Sequence, residues 1–267
     1  MNDPYRRTMP AVALVSGAAG GIGSATARRF AAEGVKLAVT DINAEALTAL
    51  ADDIGALALP ADGTSREALN EVVTKTVATY GGLDAVIATQ GAVTGDVPTA
   101  RGDKKWLRGL DVNLSGPYYL VSEAMPHLVE RKGSAVLIAS TAGLFAGPVG
   151  GLGYTAAKHG IVGLARWLAR EFGPQGVRVN ALCPGWTKTA LADGTIAYLA
   201  QRDGITVEEA LARSTRHIPL RRISQPEEIA AVCAFLASSD AAMVTGHTMV
   251  VDGGGSAVDL ATIELDT

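Results

Sequence analysis

Seven short apolar runs, separated by longer segments with helical spacing, constrain this chain more than any other feature. The runs cover 11–16, 35–40, 56–60, 83–89, 135–139, 177–182 and 247–251. Between them, 21–34, 44–54, 65–80, 104–131, 151–172 and 225–237 are spaced for helices. Within 65–80, for example, Leu69, Val72, Val73, Thr76 and Val77 recur at three- and four-residue steps. Strands that are apolar at nearly every position are those covered on both faces. Regular strand–helix alternation implies parallel strands joined by right-handed crossovers. The expected architecture is an α/β fold, a doubly wound parallel sheet in three α/β/α layers, forming a single domain over 1–267. One stretch departs from the alternation. Residues 191–222 carry short helical patterns and no strand, and read as a small helical cap over a substrate.

Composition removes several functions. The net charge is −4 with no block of like charges, which argues against a nucleic-acid partner. No apolar run reaches the ~18 residues of a membrane helix. The first ten residues are polar and have no signal-peptide core. A soluble, cytoplasmic protein is the expectation. Cys183 and Cys233 have no metal or disulfide spacing and read as small core residues, and the four histidines are scattered. No metal is expected.

The first run passes into Ser16-Gly17-Ala18-Ala19-Gly20-Gly21-Ile22-Gly23. Glycines at a strand-to-helix turn let backbone approach a pyrophosphate, and the following helix offers free N–H groups and a positive dipole end. Glycine-rich turns are common, so this motif alone leaves nucleotide binding open. Asp41, 18 residues beyond Gly23 at the end of the second run, is placed to accept from adenosine ribose hydroxyls. It would also repel a 2′-phosphate: unit charges ~4 Å apart at an effective dielectric of ~20 interact by roughly 4 kcal/mol. No Arg or Lys stands at 18, 19 or 42 to offset it, so NAD is favoured over NADP. A helix N-cap near Asn43 is the alternative role for Asp41. Asp62 could accept from an adenine amino group or be a turn residue before Gly63.

Tyr154 and Lys158 stand four residues apart, on one face of a helix. A free phenol has a pKa of ~10, and a nearby cation lowers it by ~1–3 units, giving a group able to take an alcohol proton as hydride leaves carbon. A bare Tyr-x-x-x-Lys occurs on many helix surfaces, and its context gives it meaning. The fifth run ends at Ile138-Ala139-Ser140-Thr141-Ala142-Gly143, and the sixth leads into Pro184-Gly185-Trp186-Thr187-Lys188-Thr189. Ligands of open α/β sheets bind at these strand ends.

With these motifs in order, the sequence resembles a short-chain dehydrogenase/reductase of the compact single-domain branch, from about 11 to 255. The likeness rests on the glycine turn, Asp62, Asp111-Val112-Asn113, Ser140, Tyr154 with Lys158, Asn180-Ala181, Pro184-Gly185 and Val251-Asp252-Gly253-Gly254. It implies a Rossmann-like fold and a homotetramer packed partly through 104–131 and 151–172. It implies Tyr154 as general acid/base, Lys158 as the residue that binds the nicotinamide ribose and depresses the tyrosine pKa, Ser140 as the orienter of the substrate oxygen, and Asn113 as holder of a water that relays protons to Lys158. Ser16, Gly17, Gly21, Ile22, Gly23, Asp41, Asp62, Ala88, Gly91, Tyr154, Lys158, Pro184, Gly185, Thr187 and Thr189 are the implied dinucleotide contacts. The chain departs from the family where Asn-Asn-Ala-Gly becomes Ala88-Thr89-Gln90-Gly91, which frees Gln90 to face the substrate. Ser140 precedes Tyr154 by 14 residues where 13 is usual, so Thr141 is the fallback for its role.

Gln90, Phe145, Leu152, Trp186 and Tyr198 are the expected substrate walls. They are mostly apolar and no Arg is placed to clamp a carboxylate, so the small-molecule substrate is expected to be an uncharged, hydrophobic or cyclic secondary alcohol or ketone. A reductase of acyl-carrier-protein-bound ketones shares the tetrad, usually takes NADPH and presents basic residues, of which Arg221 and Arg222 could form a small patch. A non-catalytic dinucleotide-binding regulator is the alternative of another class; such proteins commonly lose the tyrosine or lysine, and this chain keeps both.

Overall fold

A computed structural model describes residues 7–96, 98, 103–148 and 150–259. In chain order the elements are β1 (Val12–Ser16), α1 (Gly21–Ala32), β2 (Lys36–Thr40), α2 (Ala44–Ile54), β3 (Leu57–Ala58), α3 (Arg66–Tyr80), β4 (Ala85–Ala88), α4 (Lys104–Leu110), α5 (Gly116–Arg131), β5 (Ser134–Ile138), α6 (Leu152–Phe172), β6 (Arg178–Pro184), α7 (Ala190–Asp203), α8 (Val207–Thr215), α9 (Pro226–Ala237) and β7 (Thr248–Val251). The seven strands form one parallel sheet in the order β3-β2-β1-β4-β5-β6-β7.

Alternation along each strand explains the apolar runs. Leu14, Val86, Leu137 and Val179 face one core with residues of α3, α5 and α6. Their neighbours Val15, Ile87, Val136 and Leu182 face the other, with α1, α2 and α9. A sheet covered on both faces has no solvent side to alternate with, so polar residues drop out of the strands. The chain runs outward from β1 through β2 to β3, then returns to β4 on the other side of β1. The loops after β1 and β4 therefore diverge and leave a crevice, the topological switch point where such sheets bind ligands.

Two expectations change. The long helix at 104–131 is interrupted: Asp111–Ser115 forms a π-turn between α4 and α5. A wide turn inside a helix leaves backbone groups off the regular ladder and is frequent at functional sites, and here it contains Asn113. The segment expected to form the cap folds as α7 and α8, beginning at Ala190 because Thr189 caps α7 by accepting from Ala192 N–H. It owns a small core of Ile196, Ala200 and Ala210, with Trp186, Leu199, Ile205 and Leu211 packed on it.

Candidate active site

The glycine turn follows β1 into the crevice, and packing explains its composition. Gly17 has φ +65°, and a Cβ there would lie 2.7 Å from the Gln90 backbone nitrogen. A Cβ on Gly23 would lie 2.1 Å from the Gly17 carbonyl oxygen, and one on Gly21 would lie 2.9 Å from the Thr189 methyl. The N-cap of α1 is Gly20, with no side-chain cap and no acidic residue in the first turn, which includes Ile22. The unpaired N–H groups and positive end of α1 therefore open onto the groove and fit an anion such as a pyrophosphate. The far wall comes from the β6–α7 segment. Pro184 ends β6, Gly185 N–H donates to Val251, and Gly185 sits against Asp252 too closely for a side chain. Thr187 is buried, with its hydroxyl 2.9 Å from that of Ser224.

At the other end of the groove, the Asp41 carboxylate accepts from Ala19 N–H (3.0 Å) and Asn43 N–H (2.9 Å). The capping role belongs to Asn43, which accepts from Ala46 N–H at the start of α2. Asp62 accepts from both the backbone N–H and the hydroxyl of Thr64, and these bonds hold its carboxyl below the usual carboxylate range. Asp62 thus makes the turn and still lines the groove. Arg108 lines it too, donating to the Thr64 hydroxyl; nothing in its local sequence pointed there.

Gln90 requires a correction. Its side chain does not face the substrate but turns back into the groove beside Asp41 and Asp62. There it accepts from the Ser16 hydroxyl (2.6 Å) and donates to the Gly63 carbonyl (3.1 Å).

The residues expected to react gather at the ends of β4 and β5, at the start of α6. Tyr154 lies in the first turn of α6, and Ser140 follows β5 in extended backbone. The Ser140 hydroxyl accepts from Ala142 N–H and lies near enough to the Tyr154 phenol to pull its pKa down. Lys158 is buried; its Nζ donates to the Ile138 carbonyl (2.7 Å) and stands 5.5 Å from the Tyr154 ring centre. Burial draws the Lys158 pKa down to about 8. Burial also pushes the Tyr154 phenol above its usual value, against the downward pull of the nearby Ser140 hydroxyl. The expected depression of the tyrosine by the lysine is thus not seen in the protein alone. Loss of water disfavours the phenolate more than the neighbouring hydroxyl favours it.

Asn113 is buried and its amide is committed. It accepts from Ala92 N–H and donates to the carbonyls of Ala92 and Gly109. It thereby pins the loop following Ala88 to the π-turn. Gly91 fits between the two: a Cβ there would lie 3.0 Å from Asn113 Oδ1 and 3.3 Å from Lys158 Nζ. The side chain of Asn113 is thus a clamp on the segment beside Lys158, a role its position in the sequence did not reveal.

Comparison with known proteins agrees with this geometry. A family model described as enoyl-(acyl carrier protein) reductase matches residues 17–256. Protein MoaE of Klebsiella aerogenes is 38% identical, over 96% of this chain and 99% of that one. The cyclohexanol dehydrogenase of an Acinetobacter species is 37% identical, over 91% and 93%. The chain belongs to the short-chain dehydrogenase/reductase family. Among solved structures, an actinorhodin polyketide ketoreductase with NADPH superposes with a TM-score of 0.87 at 32% identity, covering 92% of this chain and 97% of that one.

On the substrate side of this short-chain dehydrogenase/reductase, Phe145, Leu152 and Tyr198 are exposed, with relative accessibilities of 54%, 44% and 62%. Leu152 opens α6 two residues before Tyr154. Trp186 is half-buried and packs on one side against Ile196, Ala200 and Ala210. Arg222 pairs with Glu228 through two hydrogen bonds of 2.6 and 2.7 Å, next to exposed Arg221. Sequence reasoning missed Asp96. This buried carboxylate accepts from Thr94 and from Gly153 N–H at the start of α6, whose own N-cap, Gly151, supplies no side chain. The two partners are 57 residues apart, and no local pattern links them.

Proposed function

We propose that the protein is an NAD-dependent oxidoreductase interconverting an uncharged, largely apolar secondary alcohol, cyclic alcohols included, and its ketone. The observation that carries this reading is buried Lys158, its Nζ 5.5 Å from the Tyr154 ring centre, with Ser140 nearby, at strand ends that also hold the glycine turn. When bound, a nicotinamide dinucleotide supplies the carbon that accepts or returns hydride. Ser140 orients the substrate oxygen. Tyr154 takes the alcohol proton during oxidation and returns it during reduction. Lys158 holds positive charge close to the phenol, favouring its ionised form, and is placed to bind the nicotinamide ribose. Asn113 fixes the segment beside Lys158, next to the place of the relay water that the family likeness implies. Asp41 at the groove supports NAD, and the exposed apolar side chains of Leu152, two residues before Tyr154 on α6, and of Phe145 and Tyr198 support the substrate class.

Absorbance at 340 nm with NAD or NADP and a panel of secondary alcohols tests this. Dinucleotide binding without turnover of any alcohol or ketone would favour a regulator, and preference for hydroxy acids or sugar phosphates would sink the substrate class. A second reading, reduction of an acyl chain on a carrier protein, is favoured by the matching family model and the polyketide ketoreductase likeness. Turnover of a carrier-bound ketone with NADPH, in preference to free alcohols with NAD, would select it. The pairing of Arg222 with Glu228 counts against it.

Two structural parts belong to the same proposal. The α7–α8 cap, with its separate small core, closes over substrate. Limited proteolysis is expected to slow at least several-fold within 191–222 when NAD and ligand are both present; equal cleavage rates would refute closure. The family likeness implies a homotetramer, and Leu107, Tyr118 and Trp167, exposed large side chains on α4, α5 and α6, supply apolar faces for it. Light scattering should give a mass about four times that of the chain, and a monomer would exclude it. No helix among the described residues is long and apolar enough to cross a membrane.

A further inference from the structure

We infer that Gln90 is a positioning residue for the dinucleotide, a strut joining the two lips of the nucleotide groove. The inference rests on the dinucleotide reading above. Gln90 leaves the end of β4 and reaches both the last residue of β1 and the turn after β3. Its amide orientation is fixed by chemistry: the Gly63 carbonyl can only accept, so the NH2 group faces Gly63 and the amide oxygen faces Ser16. The Ser16 hydroxyl proton is consequently spent on Gln90, and its remaining capacity is that of an acceptor. The preceding residue works in the same direction, since the Thr89 hydroxyl donates to the Ser16 carbonyl (2.7 Å) and contacts the Gly17 carbonyl (3.2 Å).

The surrounding glycines show that the room for Gln90 is built in. A Cβ on Gly63 would lie 2.9 Å from Gln90 Nε2, and one on Gly116 would lie 2.5 Å from the same atom. Gly17 is equally tight against the Gln90 backbone, 2.7 Å from a Cβ to its nitrogen. Three glycines from three separate segments thus surround one glutamine. With the Gln90 amide in place, the glycine turn after β1 and the Asp62–Thr64 turn after β3 are held at a set separation. Asp41 and Asp62 line the groove between those turns. A preset separation lowers the ordering cost of binding a ligand that must touch both sides.

The test measures NADH binding by fluorescence titration and cofactor-free thermal stability for wild type, Gln90→Ala, Gly63→Ala and the double variant. Gln90→Ala is expected to weaken NADH binding about tenfold. Gly63→Ala, whose backbone is outside the left-handed region and whose new methyl group meets only the flexible end of Gln90, should weaken it by a similar factor. In the Gln90→Ala background, the Gly63→Ala change should have less than a twofold effect, a non-additivity that general destabilisation would not produce. Binding within twofold of wild type for Gln90→Ala would overturn the proposal, as would additive losses in the double variant. If Gln90→Ala fails to fold, Gly63→Ala alone decides, with unchanged affinity refuting the strut. Failure of wild type to bind either NADH or NADPH would instead refute the dinucleotide reading.

Discussion

Tyr154→Phe is expected to lower turnover by about 10²–10⁴-fold, the usual contribution of a positioned acid–base group, while NADH affinity changes by less than about threefold. The substitution removes one hydroxyl and keeps the ring. It takes away the phenol oxygen and leaves the packing of α6 in place, so the chain should still fold. The pH dependence follows from the same group. Burial raises the phenol pKa in the protein alone, so below that value the phenol holds its proton and serves as an acid for ketone reduction. Alcohol oxidation requires the ionised form and should rise with pH, while reduction should fall at high pH. Steady-state rates across pH 6–10 and a fluorescence titration would check both parts. A loss smaller than tenfold would place proton transfer on another group, and lost NADH binding would make Tyr154 a structural residue.

Asp41→Ala is the second large effect. Its carboxylate faces the groove and has two backbone N–H partners, so it stands at a fixed place. The full interaction with a phosphate at close range is roughly 4 kcal/mol, but Asp41 is only half-buried and solvent screens part of it. About 1.4–2.8 kcal/mol remains, so the preference for NAD over NADP should shrink by about 10–100-fold. Ratios of kcat/KM for the two cofactors would measure it. The variant also leaves the N–H groups of Ala19 and Asn43, half-buried and exposed, to water, and so should lose only about 0.5–1.5 kcal/mol of stability. Wild-type preference for NADP would show that the charge of Asp41 is offset within the groove, with Arg108 the basic side chain placed to do so.

Much of the fold was legible because its signals are local. A strand buried on both faces must be apolar throughout, and a helix covering it must repeat every three to four residues. Those two demands wrote the seven runs and the helical segments between them into the chain. The break at Asp111–Ser115 was not legible, because a π-turn changes backbone pairing without changing the periodic pattern enough to show. Ser140, Tyr154 and Lys158 could be singled out because strand ends and a four-residue step locate them, and the glycine turn because a crowded backbone accepts nothing larger.

The sequence by itself determined a doubly wound parallel sheet, the position of its ligand crevice, and the residue types gathered around it. Only the tertiary structure decided which of those residues meet and how their protons are held. Lys158 is buried beside the phenol ring. Asn113 is a clamp on Ala92, Asp96 caps the helix that carries Tyr154, and Trp186 packs against the small core of α7 and α8. Gln90 lies on the cofactor side of the crevice. Each depends on contacts between segments far apart in the chain, where side-chain direction and burial, set by packing, outweigh any local propensity. The tyrosine pKa shows the same division: proximity to lysine along a helix suggests a lowered value, whereas burial, a property of the folded whole, raises it.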